Sequence, residues 1–355
     1  MSELQTSLLL IGAAVVVAVY FFNWFQERRL RRRLEEAFGD EHRDILLEGA
    51  AGESAGRFVP QLDAPHGAEG AASAPPPSPP PDVAGIDETI DCVATIHGAK
   101  PLNQDAVSSL LSAVAACGKA WRAAGFNAAV GRWEEVNRTA NGGYSELRLA
   151  LQLVNRAGPV SAVQLGAFRD AVTGAAQNAS AIAECPDLQA IQQRAQELDR
   201  FCADADVAIG VNVIAAEDGE FGATRIRALA EAAGFTLEPD GMFYLEDEAG
   251  NTVLTLCNQE DTPFLPEQIG GMTTRGVTLL LDVPRVADSG AALDRMFEIG
   301  KSLTVTLKGR LVDDNRAALS NSAMDKIRQQ LAGIHDAMNA RGIAPGSARA
   351  LRLFS

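Results

Sequence analysis

The feature that most limits what this chain can become stands at its N-terminal end. From Leu8 to Phe22 no charged or strongly polar side chain interrupts the sequence, and the apolar stretch as a whole runs from Leu4 to Phe25. At about 1.5 Å per residue, a helix of that length reaches roughly 33 Å, enough to cross a hydrocarbon layer of about 30 Å. Arg28, Arg29, Arg31, Arg32 and Arg33 follow at once, whereas only Glu3 precedes it. A cleaved secretory leader carries its basic residues before the apolar run, so the order here is reversed. A buried core helix would not explain the clustered arginines. The expectation is an uncleaved transmembrane anchor over 1–26, with Tyr20 and Trp24 near an interface. The arginine bias predicts a single pass, with the N-terminus periplasmic and the bulk of the chain cytoplasmic.

The rest of the chain is acidic: the net charge is −15 even with those arginines counted. Such a chain is a poor nonspecific nucleic-acid binder, and no basic stripe offers itself. Cys92, Cys117, Cys185, Cys202 and Cys257 are widely spaced, odd in number and form no Cys-x-x-Cys, which reads as reduced core thiols. His42, His66, His97 and His335 stand singly, so no metal site and no cofactor is expected.

Residues 27–48 are charged and helix-prone, with Leu30, Leu34 and Phe38 at four-residue spacing. Residues 49–85 change to Ala, Gly, Ser and Pro and include Ala74-Pro75-Pro76-Pro77-Ser78-Pro79-Pro80-Pro81, a composition that builds no core. This predicts a disordered spacer holding the remainder some tens of ångströms from the anchor.

Over 205–342 the pattern predicts one domain. Ala208 to Ile214 alternates as a strand, and Ala223 to Ala233 carries a helical stripe of Ile226, Leu229, Ala230 and Ala233 with Gly234 behind it. Gly241 to Glu246 and Asn251 to Asn258 read as a hairpin, and Val277 to Val283 as the strongest strand. A helix over Gly290 to Leu303, short strands at Leu303 to Leu307 and Arg310 to Asp313, and a last helix from Ser322 complete the order β-α-β-β-β-α-β-β-α. The fold class is α+β: a split β-α-β domain, one antiparallel sheet with helices on one face. Residues 86–203 read as a degenerate copy. They offer a strand over Asp91 to His97, a helix over Asn103 to Ala124, a strand carrying Leu147, Leu149, Leu151 and Leu153, and helices over Ser161 to Thr173 and Asp187 to Ala203. Ala123-Ala124-Gly125-Phe126 matches Ala232-Ala233-Gly234-Phe235, at a period of about 110 residues. Residues 343–355 read as a C-terminal tail.

No catalytic constellation survives inspection. There is no Gly-x-Ser-x-Gly, P-loop or dinucleotide fingerprint, Asp313-Asp314 reads as a turn, and Gly270-Gly271 has no following Lys-Ser. Neither an enzyme nor a small-molecule substrate is expected. What remains is a surface. If the large apolar residues Ile209, Val211, Val213, Leu254, Leu256, Val277, Leu279 and Leu281 face the helices, the other face carries Ala208, Gly210, Asn212, Phe243, Leu245, Val253, Thr255, Cys257, Thr278 and Leu280. An uncovered, uncharged sheet face of this kind suits a short peptide, unless the first module covers it.

Those residues carry a resemblance. Val211-Asn212-Val213, Phe243-Tyr244, Leu256-Cys257-Asn258, Met272-Thr273-Thr274-Arg275-Gly276-Val277-Thr278 ending at Val283-Pro284, and Leu311-Val312-Asp313-Asp314 resemble the ZipA family of bacterial cell division proteins. The layout of 1–85 resembles the same family, whereas 86–203 lies where the family has only linker. The resemblance implies a non-catalytic adaptor at the division site. Its C-terminal domain would hold the C-terminal tail of FtsZ on the open sheet face, tethering filaments to the inner membrane during septation. Matched strand by strand, it implies a binding face of Ala208, Gly210, Phe243, Leu245, Thr255, Cys257, Gln259, Thr278 and Leu280. Gly210 and Gln259 are smaller or more polar than the family pattern, and Asp261 replaces a lysine. The alternative is a structural protein of the divisome or envelope whose own first module covers the face and which binds another partner.

Overall fold

A computed structural model describes residues 84–137, 142–216, 219–314, 316–319 and 321–355. The expected anchor, the expected juxtamembrane helix and nearly all of the expected linker lie outside the described residues. Among those described, no helix is long and apolar enough to cross a membrane.

The described residues build two large antiparallel sheets, each backed by its own apolar core, and two small two-stranded ladders. The first contains β1 (Asp91–Leu102), β2 (Trp121–Asn127), β3 (Arg132–Glu135), β4 (Tyr144–Gln152) and β7 (Ala181–Glu184), in the order β3-β2-β4-β1-β7. The two-residue strands β5 (Val154–Asn155) and β6 (Gly158–Pro159) form a small ladder beside it. Helices α1 (Gln104–Ala115), α2 (Ala162–Asn178) and α3 (Leu188–Ala205) bury Leu111, Phe168, Val172, Ala195 and Phe201 against Leu147, Leu149 and Leu151. Each helix has a side-chain start signal. Asn103, Ser161 and Asp187 accept from backbone N–H groups, and Ser161 with Gln164 closes a capping box.

The second sheet has the order β10-β11-β12-β14-β8-β15. Its strands are β8 (Ala208–Ala215), β10 (Thr236–Leu237), β11 (Phe243–Glu246), β12 (Thr252–Asn258), β14 (Gly276–Asp282) and β15 (Gly309–Val312), with β9 (Phe221–Gly222) and β13 (Thr273–Thr274) paired apart. Helices α4 (Ala223–Ala232), α5 (Ser289–Leu307) and α6 (Asn321–Ala340) bring Ile226, Leu293, Met296, Phe297 and Leu331 into one cluster with Val211, Val213, Leu254, Leu256, Leu279 and Leu281.

Three expectations are corrected. Leu303 to Leu307 is not a strand but the end of α5. The run Thr304-Val305-Thr306 favours a strand locally, yet Leu303 and Leu307 continue the buried stripe of Leu293, Met296, Phe297 and Gly300 while Val305 is 79 % exposed. Lys308, in the left-handed region at φ 57°, then ends the helix. Asn103 to Ala124 is not one helix: α1 ends at Ala115, and Trp121 to Asn127 is strand β2. Gly125 belongs there because the Tyr144 ring lies against it, with Cδ1 2.5 Å from where a Cβ would stand. Ala123-Ala124-Gly125-Phe126 is thus sheet, whereas Ala232-Ala233-Gly234-Phe235 closes α4 with Gly234 at φ 95°. The shared letters carry no argument for duplication. Both units run strand-helix-three strands-helix-strand-helix, but β4 joins β2 whereas β14 joins β12, the second strand of its hairpin.

The third correction concerns the end of the chain. Residues 343–355 are folded, with α7 (Ala348–Leu353) started by the Ser347 hydroxyl. Met338, Ile343, Ala350, Leu353 and Phe354 sit in the core of the first sheet. Arg352 pairs with Asp91, which is 0 % exposed, and Gln152 Nε2 donates to the Arg352 carbonyl at 2.8 Å. The last segment of the chain therefore finishes the module that stands first in sequence.

Candidate docking face of the C-terminal sheet

With the helices of the second unit on one side, the opposite side of its sheet is left partly open over β11, β12 and β14, while Asn212 and Val312 at its β8–β15 end are buried. The strand registers define two rows across it. One runs Tyr244, Thr255, Leu280, Gly210 over β11, β12, β14 and β8; the other runs Cys257, Thr278, Asn212, Val312 over β12, β14, β8 and β15. Ala208 pairs with Asp282 at one end, and Gln259 hydrogen-bonds the Gly276 carbonyl at the other.

Six of the residues expected from sequence are therefore together: Ala208, Gly210, Thr255, Cys257, Thr278 and Leu280. Gln259 stands at their margin. Phe243 and Leu245 are not with them. They pair with Leu256 and Leu254, lie 0 % and 3 % exposed in the core, and Phe243 stacks on Phe264 with ring centroids 5.6 Å apart. The cause is a β-bulge. Glu246 pairs with Thr252 but Leu245 with Leu254, so Val253 is the extra residue. A regular hairpin would have placed Phe243 opposite Thr255. One inserted residue exchanges the faces of every side chain beyond it.

Sequence reasoning missed Tyr244, Val312 and Asp314. Tyr244 donates its hydroxyl to Asp240 at 2.7 Å. Burial, with Asp240 beside it, pushes the phenol up to about 12, and burial alone pushes the Cys257 thiol up to about 11. Both stay neutral at physiological pH, so the rows carry no charge of their own. A polar chain crosses one end: Thr278 Oγ1 donates to Asn212 Oδ1 at 2.6 Å, and Asn212 Nδ2 to Asp314 Oδ1 at 2.9 Å. Only the three-dimensional path of the chain after β15 could have placed Asp314 there.

The first module meets the second at the sheet's end rather than on the face. Arg156 pairs with Asp206 at 2.7 Å and with Asp282 at 2.8 Å, and Gly346 donates to the Pro284 carbonyl. Tyr244, Thr255, Cys257, Thr278 and Leu280 remain partly exposed. The corresponding side of the first sheet is of another kind: His97 lies 3.7 Å from Glu146 and 3.6 Å from Glu184, and Arg148 pairs with Glu88. Ser289 and His335 are hydrogen-bonded, but the serine is 0 % exposed and cannot reach a substrate. A cavity of about 410 Å³ beside Phe297 and Met324 has its arginine, Arg328, bound to Asp294 and Asp325. Among the described residues no group of three or more His, Cys, Asp or Glu could hold a metal ion.

Fold and face together define a class: an α+β module with a partly open antiparallel sheet face whose middle rows are uncharged. Residues 207–330 match the family model of the ZipA C-terminal FtsZ-binding domain. The chain is also 22 % identical over 125 residues to a cell division protein ZipA of Marinobacter nauticus (strain ATCC 700491 / DSM 11845 / VT8), across 34 % of this chain and 37 % of that protein. It thus spans little more than a third of that relative's length. The resemblance seen in the sequence holds for this segment, and 86–203 falls outside it.

Proposed function

We propose that the chain is a membrane-anchored, non-catalytic adaptor of the bacterial division ring. Its C-terminal domain takes the C-terminal tail of FtsZ on the open sheet face, and residues 4–25 hold it in the inner membrane at the division site. The observation that carries this reading is a partly open sheet face, uncharged in its middle rows, on the segment that matches the ZipA C-terminal domain. A partly open sheet face with uncharged middle rows suits a short peptide. The alternative, in which the first module hides the face, is disfavoured by the contacts of that module, which include Asp282 and Pro284 at the sheet's end and Arg341 behind α6, and leave Tyr244, Thr255, Cys257, Thr278 and Leu280 partly exposed. A shallow peptide site binds weakly alone. It becomes effective when many copies share a membrane and the partner is a polymer.

The test is a titration of a fluorescent FtsZ C-terminal-tail peptide with the full chain in detergent micelles, read by anisotropy. The expected result is saturable binding that disappears in Leu280→Glu, which puts a charge in the middle of the face. Absence of binding by the parent protein, or equal binding by Leu280→Glu, overturns the assignment.

A further inference from the structure

The two rows of the open face hold no charged side chain, yet one carboxylate is brought over them from outside. The chain leaves β15 at Val312, which pairs with Asn212, and turns at once. Asp313 builds that turn: its carboxylate accepts from the Ala317 N–H at 2.7 Å and its carbonyl from the Arg316 N–H at 3.0 Å. Asp314, at the corner, is thereby swung back across β8. Asn212 holds it with a hydrogen bond of 2.9 Å, and the Asn212 amide is itself oriented by the Thr278 hydroxyl on its other end. Gly210 leaves the room. A Cβ there would stand 3.3 Å from Asp314 Oδ1 and 3.6 Å from Leu280 Cδ2, so the carboxylate lies beside the apolar centre of the face.

Charge lies on the same side outside those rows: Asp282 opposite Ala208 and Arg310 opposite Ile214. Asp282 is neutralised by Arg156 of the first module. Among the described residues Asp314 has no cationic partner; its bond is to a neutral amide. An unpaired carboxylate next to an apolar surface favours an incoming cation and repels an anion, which fixes the direction of a bound segment more than its affinity.

We propose that Asp314 is a specificity-determining residue of this face. The bound segment carries a lysine or arginine that reaches Asp314 while its apolar side chains lie on Leu280, Thr255 and Cys257. This rests on the reading that the face takes an FtsZ tail, and names the feature of the tail that the face selects.

The full chain in detergent micelles is titrated with the tail peptide, with versions in which each Lys or Arg is changed singly to Gln, and with a version carrying Glu at the position found. Asp314→Asn keeps an oxygen for Asn212 and removes only the charge; Asp314→Lys reverses it. The expected result is one basic position whose change to Gln weakens binding about fivefold to tenfold. That loss vanishes in Asp314→Asn, and Asp314→Lys restores binding of the Glu peptide. Binding by the parent should also weaken with salt more steeply than binding by Asp314→Asn. If Asp314→Asn binds every peptide as the parent does while Leu280→Glu binds none, the charge has no part and the inference falls, with the docking reading intact. If the parent binds no tail peptide, the docking reading itself fails.

Discussion

Phe243 and Tyr244 are neighbours in the chain and serve opposite sides of one sheet. Phe243 is sealed against Phe264 and Leu256, so Phe243→Ala should cost about 3–5 kcal/mol in chemical denaturation. Tyr244→Ala should cost about 1 kcal/mol in the same measurement, because the ring is partly exposed and its hydroxyl is tied to Asp240 near solvent. On the proposed function, Tyr244→Ala weakens tail binding and Phe243→Ala acts only through stability. His335 gives a second prediction at this scale. Burial lowers its pKa from 6.5, with Asp288 and Asp336 pulling the other way. A depressed histidine resists protonation in the folded state, so its contribution is full above the unfolded value near 6.5 and is lost as pH falls below it. Unfolding midpoints measured from pH 7.5 to 5 should fall more in the parent than in His335→Gln.

At the scale of elements, the hairpin β11–β12 and helix α5 show where local pattern loses to packing. Strands β8, β12 and β14 of the second sheet follow from alternation, the two-residue β10 was not foreseen, and Ile209, Val211 and Val213 point where the pattern put them. The bulge at Val253 breaks that inference because alternation is counted along one strand, whereas the register is set between two. In α5 the β-branched run spells strand, but six buried positions on one helical stripe outweigh it. Leu303→Ala should therefore cost about 2–5 kcal/mol and Val305→Ala about 0.5 kcal/mol or less, read by denaturant midpoint. Equal effects would mean that the two residues do not differ in burial. Of the candidate site, the positions on β8 and β14, and on β12 beyond its bulge, were readable because the ladders there are regular. Asp314 was not, because it belongs to a turn whose course depends on Asp313.

For the whole molecule, the first module is completed by the end of the chain. Ile343, Ala350, Leu353 and Phe354 fill its core, and Arg349 and Arg352 reach Asp87 and Asp91. Removing Arg352 leaves the buried Asp91 carboxylate without its cation, so Arg352→Ala should cost about 3–5 kcal/mol. The core of the second unit draws its buried members from Ile209 to Leu331 and none from the first module. A fragment of 205–342 should therefore fold, whereas 86–203 without the tail should stay expanded, measured by hydrogen exchange and near-ultraviolet circular dichroism. Cooperative folding of 86–203 alone would show that the tail is dispensable.

What the sequence determined by itself is everything governed by short-range periodicity and composition. It set an apolar run long enough to span a bilayer followed by arginines, a stretch too poor in apolar residues for a core, and an α+β class with helices on one side of an antiparallel sheet. These are properties of a residue and its neighbours within a turn or two. What only the tertiary structure decided depends on groups far apart in the chain. The bulge fixed which of Phe243 and Tyr244 faces away from the core. The path after β15 laid Asp314 over Gly210, and the tail closed on the first module across more than two hundred residues. Those outcomes minimise buried unpaired polar groups and empty space over the whole fold, and no window of sequence contains the terms that decide them.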